Sequence, residues 1–155
     1  MDEGPIDFYE ATLRSVKVRV LIVDDSLVMR NILESALRQA DPDLAEPLHA
    51  ATGVEALAAL DHSEAEDRPL DLILCDVHMP KMNGLDFLLE KKRRNLAPEV
   101  PVVLVTADDR DPKLLQALSV GAQGFISKPF TQNQIETCVA SLMLATSAPS
   151  GREGI

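Results

Sequence analysis

Four apolar runs in the chain are each followed at once by side chains that can do chemistry. Residues 18–23 lead into Asp24-Asp25, residues 70–75 into Asp76, residues 102–105 into Thr106, and residues 125–127 into Lys128-Pro129. Singly, each has an ordinary explanation. Asp24 or Asp25 would cap a helix opening at Ser26, Thr106 would be a turn hydroxyl, and Lys128 a surface charge. Together they mean more, because neighbouring parallel strands bring their carboxyl ends side by side and three carboxylates would then converge. Two carboxylates ~4 Å apart repel by about 4 kcal/mol at an effective dielectric of 20. Such a cluster needs protonation, a cation or both. One ammonium, Lys128, cannot balance three carboxylates. A hard divalent cation with oxygen ligands can, and Mg²⁺ is the natural candidate. No matched set of His or Cys ligands points to zinc instead. A carboxylate nucleophile, a hydroxyl, a lysine and Mg²⁺ are the equipment of phosphoryl transfer.

The elements that must hold these groups follow from periodicity. Residues 18–23 have the composition of a strand buried on both faces. Residues 26–38 place Met29, Ile32, Leu33, Ala36 and Leu37 on one helical stripe. Residues 46–50 are a short, weak strand. Thr52 and Glu55 form a capping box that opens a helix through Leu60, and residues 61–69 read as a charged turn. After the strand at 70–75, residues 83–94 are helical, with Leu85, Leu88 and Leu89 inward. Asp111-Pro112 opens a further helix carrying Leu114, Leu115, Leu118 and Val120, and Gly121 ends it. Thr131 and Gln134 form a second capping box ahead of Ile135, Cys138, Val139, Leu142 and Met143. Five strand–helix pairs in strict alternation imply an α/β fold, a parallel sheet with helices on both faces and right-handed crossovers.

Composition narrows the function. The 155 residues are 46% hydrophobic, which suits one domain with a packed core. The domain is expected over residues 17–145, with an N-terminal extension at 1–16 and a flexible tail at 146–155. Asp plus Glu is 25 against 15 for Lys plus Arg, a formal charge of −10, which argues against nucleic acid and anionic membranes as partners. Aromatic residues are 3%, too few for stacking platforms. Cys75 and Cys138 read as reduced core residues of a cytoplasmic protein. No apolar run approaches the ~20 residues of a membrane span. Met1-Asp2-Glu3 opens no secretory signal. The basic run Lys91-Lys92-Arg93-Arg94 is read as complementing a helix dipole, and His49 and His62 as spectators.

The set Asp24-Asp25, Asp76 with Met79-Pro80, Gly84, Thr106-Ala107 and Lys128-Pro129-Phe130 resembles the receiver domain of two-component response regulators. Gly121-Ala122-Gln123-Gly124-Phe125 ahead of Ser127-Lys128-Pro129-Phe130-Thr131 is similar to the stand-alone chemotaxis type. The resemblance covers residues 17–145. It implies a flavodoxin-like doubly wound sheet of strand order 2-1-3-4-5. It implies Asp76 as the phosphoacceptor, served by a histidine kinase or phosphotransfer protein. Asp25, Asp76 and the backbone carbonyl of His78 would ligate Mg²⁺, with Asp24 acting through water. Thr106 would swing to the phosphoryl oxygen, an acceptor it otherwise lacks, and Lys128 would pair with the phosphoryl group from the other side. The Lys128–Pro129 bond would be cis. Phe125 would be the aromatic switch, and a phenyl ring without a hydroxyl is expected to sit inward even before phosphorylation. His78 and Asp108 would line the path of the hydrolytic water. A downstream protein would bind the face formed by the helix after Thr106, the fifth strand and the last helix. No output domain is expected after the tail, so the output would be protein binding. The alternatives are a phosphate sink or scaffold, and a weaker one, an aspartyl-phosphate phosphatase, whose Asp-x-Asp motif is missing here.

Overall fold

Residues 17–147 are described by the structure, a computed structural model. The strands are β1 (Val20–Val23), β2 (Leu48–Ala50), β3 (Leu72–Asp76), β4 (Val102–Thr106) and β5 (Gly124–Ser127). The helices that follow them in turn are α1 (Leu27–Ala40), α2 (Gly53–Ala65), α3 (Gly84–Arg93), α4 (Pro112–Ser119) and α5 (Gln132–Ser147). All strand pairs are parallel and the order is β2-β1-β3-β4-β5, the doubly wound flavodoxin-like arrangement expected from the sequence.

Strand alternation assigns the two layers. Val20, Ile22, Leu72, Leu74, Val105 and Ile126 face one side and pack with Leu33 and Leu37 of α1 and Ile135 and Val139 of α5. Leu21, Val23, Ile73, Cys75, Val102 and Leu104 face the other side, under Leu57 and Leu60 of α2, Phe87 and Leu88 of α3, and Leu114 and Ala117 of α4. Register then levels the strand ends. Val23 pairs with Cys75, so Asp24 and Asp76 leave the sheet side by side. Thr106 pairs with Ser127, which puts Lys128 next in line.

The local signals behave as their chemistry requires. Thr131 Oγ1 accepts the Gln134 N–H at 3.2 Å while Gln134 Oε1 accepts the Thr131 N–H at 2.8 Å, a reciprocal capping box. Asp111 caps α4 ahead of Pro112, and Gly121 leaves the helix at φ 127, a conformation open to glycine.

Elsewhere the structure corrects the sequence reading. Helix α2 runs on to Ala65 through the supposed turn. Ser63 faces inward and its hydroxyl bonds the Arg68 carbonyl, while Glu64 Oε2 accepts the Ala97 N–H at 2.7 Å, so polar side chains do there what apolar ones do elsewhere. Ile32, Leu89 and Leu115 are exposed, because each helix touches the sheet through a narrower arc than its apolar stripe. Phe87 is fully buried instead. Both cysteines are free; Cys75 is buried and burial pushes its thiol pKa up, which keeps it inert. Among the described residues no helix is long and apolar enough to cross a membrane. The expectations for residues 1–16 and for 148–155 lie outside the described residues.

Candidate functional site

Asp24 follows β1 directly and is buried. Its N–H donates to the Ala50 carbonyl at 3.0 Å, and its Oδ1 accepts the Ser26 N–H at 2.9 Å. Its Oδ2 accepts from Lys128 Nζ at 3.0 Å. Asp76 ends β3, and its Oδ2 lies 3.6 Å from the same ammonium. Asp25 is exposed beside them. Asp24, Asp25 and Asp76 each bring a carboxylate oxygen within 4.8 Å of the others. Lys128 is itself held in place, its N–H donating to the Thr106 carbonyl at 2.7 Å, and the Lys128–Pro129 bond is cis as expected.

The electrostatics follow from this geometry. Burial pushes the Asp76 carboxyl above the usual carboxylate range; Lys128 opposes the shift and Asp24 adds to it. One ammonium thus serves two buried carboxylates, with a third at the rim. The set is short of positive charge, and its donors are all oxygen. It suits Mg²⁺ rather than a softer metal. Gly84 closes the site from below. Its N–H donates to the Val77 carbonyl at 2.9 Å, and a Cβ there would stand 2.4 Å from the Asp76 carbonyl oxygen.

Thr106 is fully buried, and its Oγ1 already has an acceptor, the Asp108 carbonyl at 3.2 Å, contrary to the expectation that it lacks one. The same Oγ1 accepts the Asp108 N–H at 3.2 Å. Phe125 is also corrected, being 43% exposed rather than inward. It lies on the edge strand, and the eight-residue α4 sends only Leu114 and Ala117 fully into the core on that side. The His78 imidazole does not stand free over the carboxylates. Its Nε2 bonds Asp111 Oδ2, while Asp111 Oδ1 accepts the Lys113 N–H at 2.8 Å at the start of α4. That amide, and then His78, hold the Asp111 carboxyl below its ordinary range.

Two participants escaped the sequence reading. Arg30 Nη1 donates to the Asp24 carbonyl at 2.7 Å, and its Nε donates to His49 Nδ1 at 3.1 Å. His49 Nε2 lies 2.6 Å from Glu34 Oε1, so His49 is a bridging group rather than a spectator. Arg30 carries one legible signal, its place one turn after the Ser26 cap. His49 carries none, because its partners come from α1 packing beside β2.

The response regulator receiver domain is the family whose model matches this chain, over residues 20–140. Chemotaxis protein CheY1 of Helicobacter pylori strain J99 is 33% identical over 114 residues, which is 74% of this chain and 87% of that protein. The CheY homolog of Campylobacter jejuni strain 81-176 is 32% identical over 114 residues, 74% of this chain and 83% of its own. The structure of the chemotaxis response regulator CheY4 of Vibrio cholerae superposes with a TM-score of 0.67 at 29% identity, covering 82% of this chain and 99% of that one.

Proposed function

The chain belongs to the response regulator receiver domain family, and from that premise we propose that it is a phosphorylation switch in which Asp76 accepts a phosphoryl group from a histidine kinase or phosphotransfer protein. The observation that carries this reading is the position of Lys128 Nζ, 3.0 Å from Asp24 and 3.6 Å from Asp76, inside a cluster of three carboxylates.

In the transfer, a carboxylate oxygen of Asp76 attacks phosphorus. The P–N bond to the donor imidazole breaks, its electron pair leaves with nitrogen, and that nitrogen takes up a proton. Burial keeps the Asp76 carboxylate more basic than an exposed one, which favours the attack. Asp25, Asp76 and the His78 carbonyl would hold Mg²⁺, with Asp24 acting through water. Bound there, the ion would neutralise charge on the phosphoryl oxygens. Lys128 meets the same charge from the opposite side. Asp24 holds that lysine in place, and the Arg30 contact fixes the Asp24 carbonyl.

Phosphorylation then offers the Thr106 hydroxyl a charged acceptor in place of the Asp108 carbonyl. A charge-assisted hydrogen bond is worth about 1.5–3 kcal/mol and a neutral one about 0.5–1.5 kcal/mol, so the exchange gains on the order of 1 kcal/mol. That shifts a two-state equilibrium roughly fivefold. The shift grows when the exposed Phe125 ring follows inward and leaves water. The face of α4, β5 and α5, where Leu115 and Phe125 are exposed, would then present a different surface to a downstream protein. The switch acts in the cytoplasm on this reading.

Incubation with acetyl phosphate and Mg²⁺, followed by mass spectrometry, tests the assignment. One label is expected, on Asp76, and none in Asp76→Asn. Lys128→Ala should still take some label while losing the response at Thr106 and Phe125. Label retained in Asp76→Asn would overturn the assignment.

A further inference from the structure

Far from the carboxylates, a cavity of about 430 Å³ opens where the end of α3, the 94–101 connection, the start of β4 and the end of α4 meet. Val102 opens β4 there and Thr106 ends it at the other site, so the two regions lie roughly 13 Å apart along the strand. Leu88, Leu96, Val102 and Val120 supply apolar walls, and Lys91 and Lys92 supply the positive charge.

Lys91 is the unusual member. It is 8% exposed, and burial holds its ammonium below the usual lysine range. Among the described residues its ammonium makes no hydrogen bond or ion pair, although its backbone carbonyl accepts the Leu96 N–H at 2.9 Å. Glu64 attracts it through space, but Glu64 Oε2 accepts the Ala97 N–H at 2.7 Å. The neighbouring cations are engaged, Arg93 with Glu90 and Arg94 with Asp61. A helix dipole needs no buried lysine, since exposed ones complement it equally well. The aliphatic stem of Lys91 is buried while its ammonium keeps contact with solvent at the cavity it lines, since among the described residues no buried side-chain nitrogen is left without a partner. The ammonium thus reaches the cavity with no side-chain partner of its own, and the cavity is large enough for a guest.

We propose that this cavity is a binding site for a small carboxylate with an apolar body, its carboxylate paired with Lys91 and its body against Leu88, Leu96, Val102 and Val120. Lys92 adds charge at the rim. Glu99, also at the rim, disfavours a polyanion, so one negative charge is the match. The guest would touch the end of α4, whose first turn is tied to the His78 loop, so occupancy would reach the switch through that helix.

Titration of the native protein with hexanoate, followed in ¹H–¹⁵N spectra, tests the site, with acetate as the probe that has the charge and lacks the body. Hexanoate should give saturable shifts at Leu96, Val102, Val120 and Gly121, with NOEs from its methylenes to the Leu88 and Val102 methyl groups. Acetate should not saturate. Lys91→Met should weaken hexanoate at least tenfold, and Lys91→Arg should retain most of the affinity. No saturable hexanoate shift, equal shifts with acetate, or undiminished binding to Lys91→Met overturns the proposal. Where Lys91→Met does not fold, the NOEs in the native protein decide: their presence supports the site and their absence at saturation removes it.

Discussion

At Asp76, the same burial that would sharpen the proposed nucleophile weakens the fold. Its carboxyl pKa is raised, so the charged form is less comfortable in the native protein than in the unfolded chain, where an Asp titrates near 3.9. The sign follows from linkage. The stability this group contributes is complete below its unfolded pKa and is lost as pH rises through the higher native one. Asp76→Asn should therefore be more stable than the native protein at pH 7, by on the order of 1 kcal/mol, or a few degrees in Tm. The difference should close as pH falls towards 4. Thermal melts across that range check it, and an Asn variant less stable at pH 7 would count against the charge strain. A cation relieves the same strain. Mg²⁺ at millimolar levels should raise the native Tm by mass action, and Asp25→Asn should remove most of that gain, since Asp25 is the exposed member open to a ligand.

At the scale of elements, α3 presses its first residue against the backbone of Asp76. A methyl at Gly84 would stand 2.4 Å from the Asp76 carbonyl oxygen and 3.1 Å from Val77 Cα, both backbone atoms that cannot rotate away. Gly84→Ala should cost roughly 1–3 kcal/mol in urea unfolding, and acetyl phosphate labelling should slow because Asp76 is displaced. An unchanged unfolding midpoint with normal labelling would show that the helix yields freely. What could be read in advance was local: the Thr52 cap (though Glu55 reaches back to the Ala51 N–H and not to that of Thr52), the capping box at Thr131, the Asp111-Pro112 start, and the polar residue that closes each apolar run. What could not be read depends on which arc of a helix meets the sheet. The spacing of Ile32 and Leu89 fits a buried stripe, yet only the docking angle decides that both face water while Phe87 does not. Phe125 misled for a related reason, since an edge strand under a short helix has less cover than a central one. His78 was legible as a neighbour of Asp76, whereas its partner Asp111, 33 residues on, was not.

At the scale of the whole molecule, the doubly wound order sets β1 between β2 and β3, so the first strand of the described residues lies inside the sheet. The layer beneath it joins the two ends of the described chain. Helix α5 lies along α1, and Gln132 Nε2 donates to the Ala36 carbonyl at 2.9 Å. Ile135 and Val139 cover Ile22, Leu74 and Val105. This closure gives the order of synthesis a consequence. On the ribosome, α2, α3 and α4 can settle on their face of the sheet as they emerge, but the opposite face keeps an uncovered stripe until α5 leaves the tunnel. A nascent chain halted after Ser127 should then bind hydrophobic dyes and need a chaperone, and its release should track the appearance of residues 132–142. A halted chain that resists protease as well as the full one would show that α1 alone seals the layer. Helix α5 sets when this domain can first stand unaided, and any signal it carries waits on that.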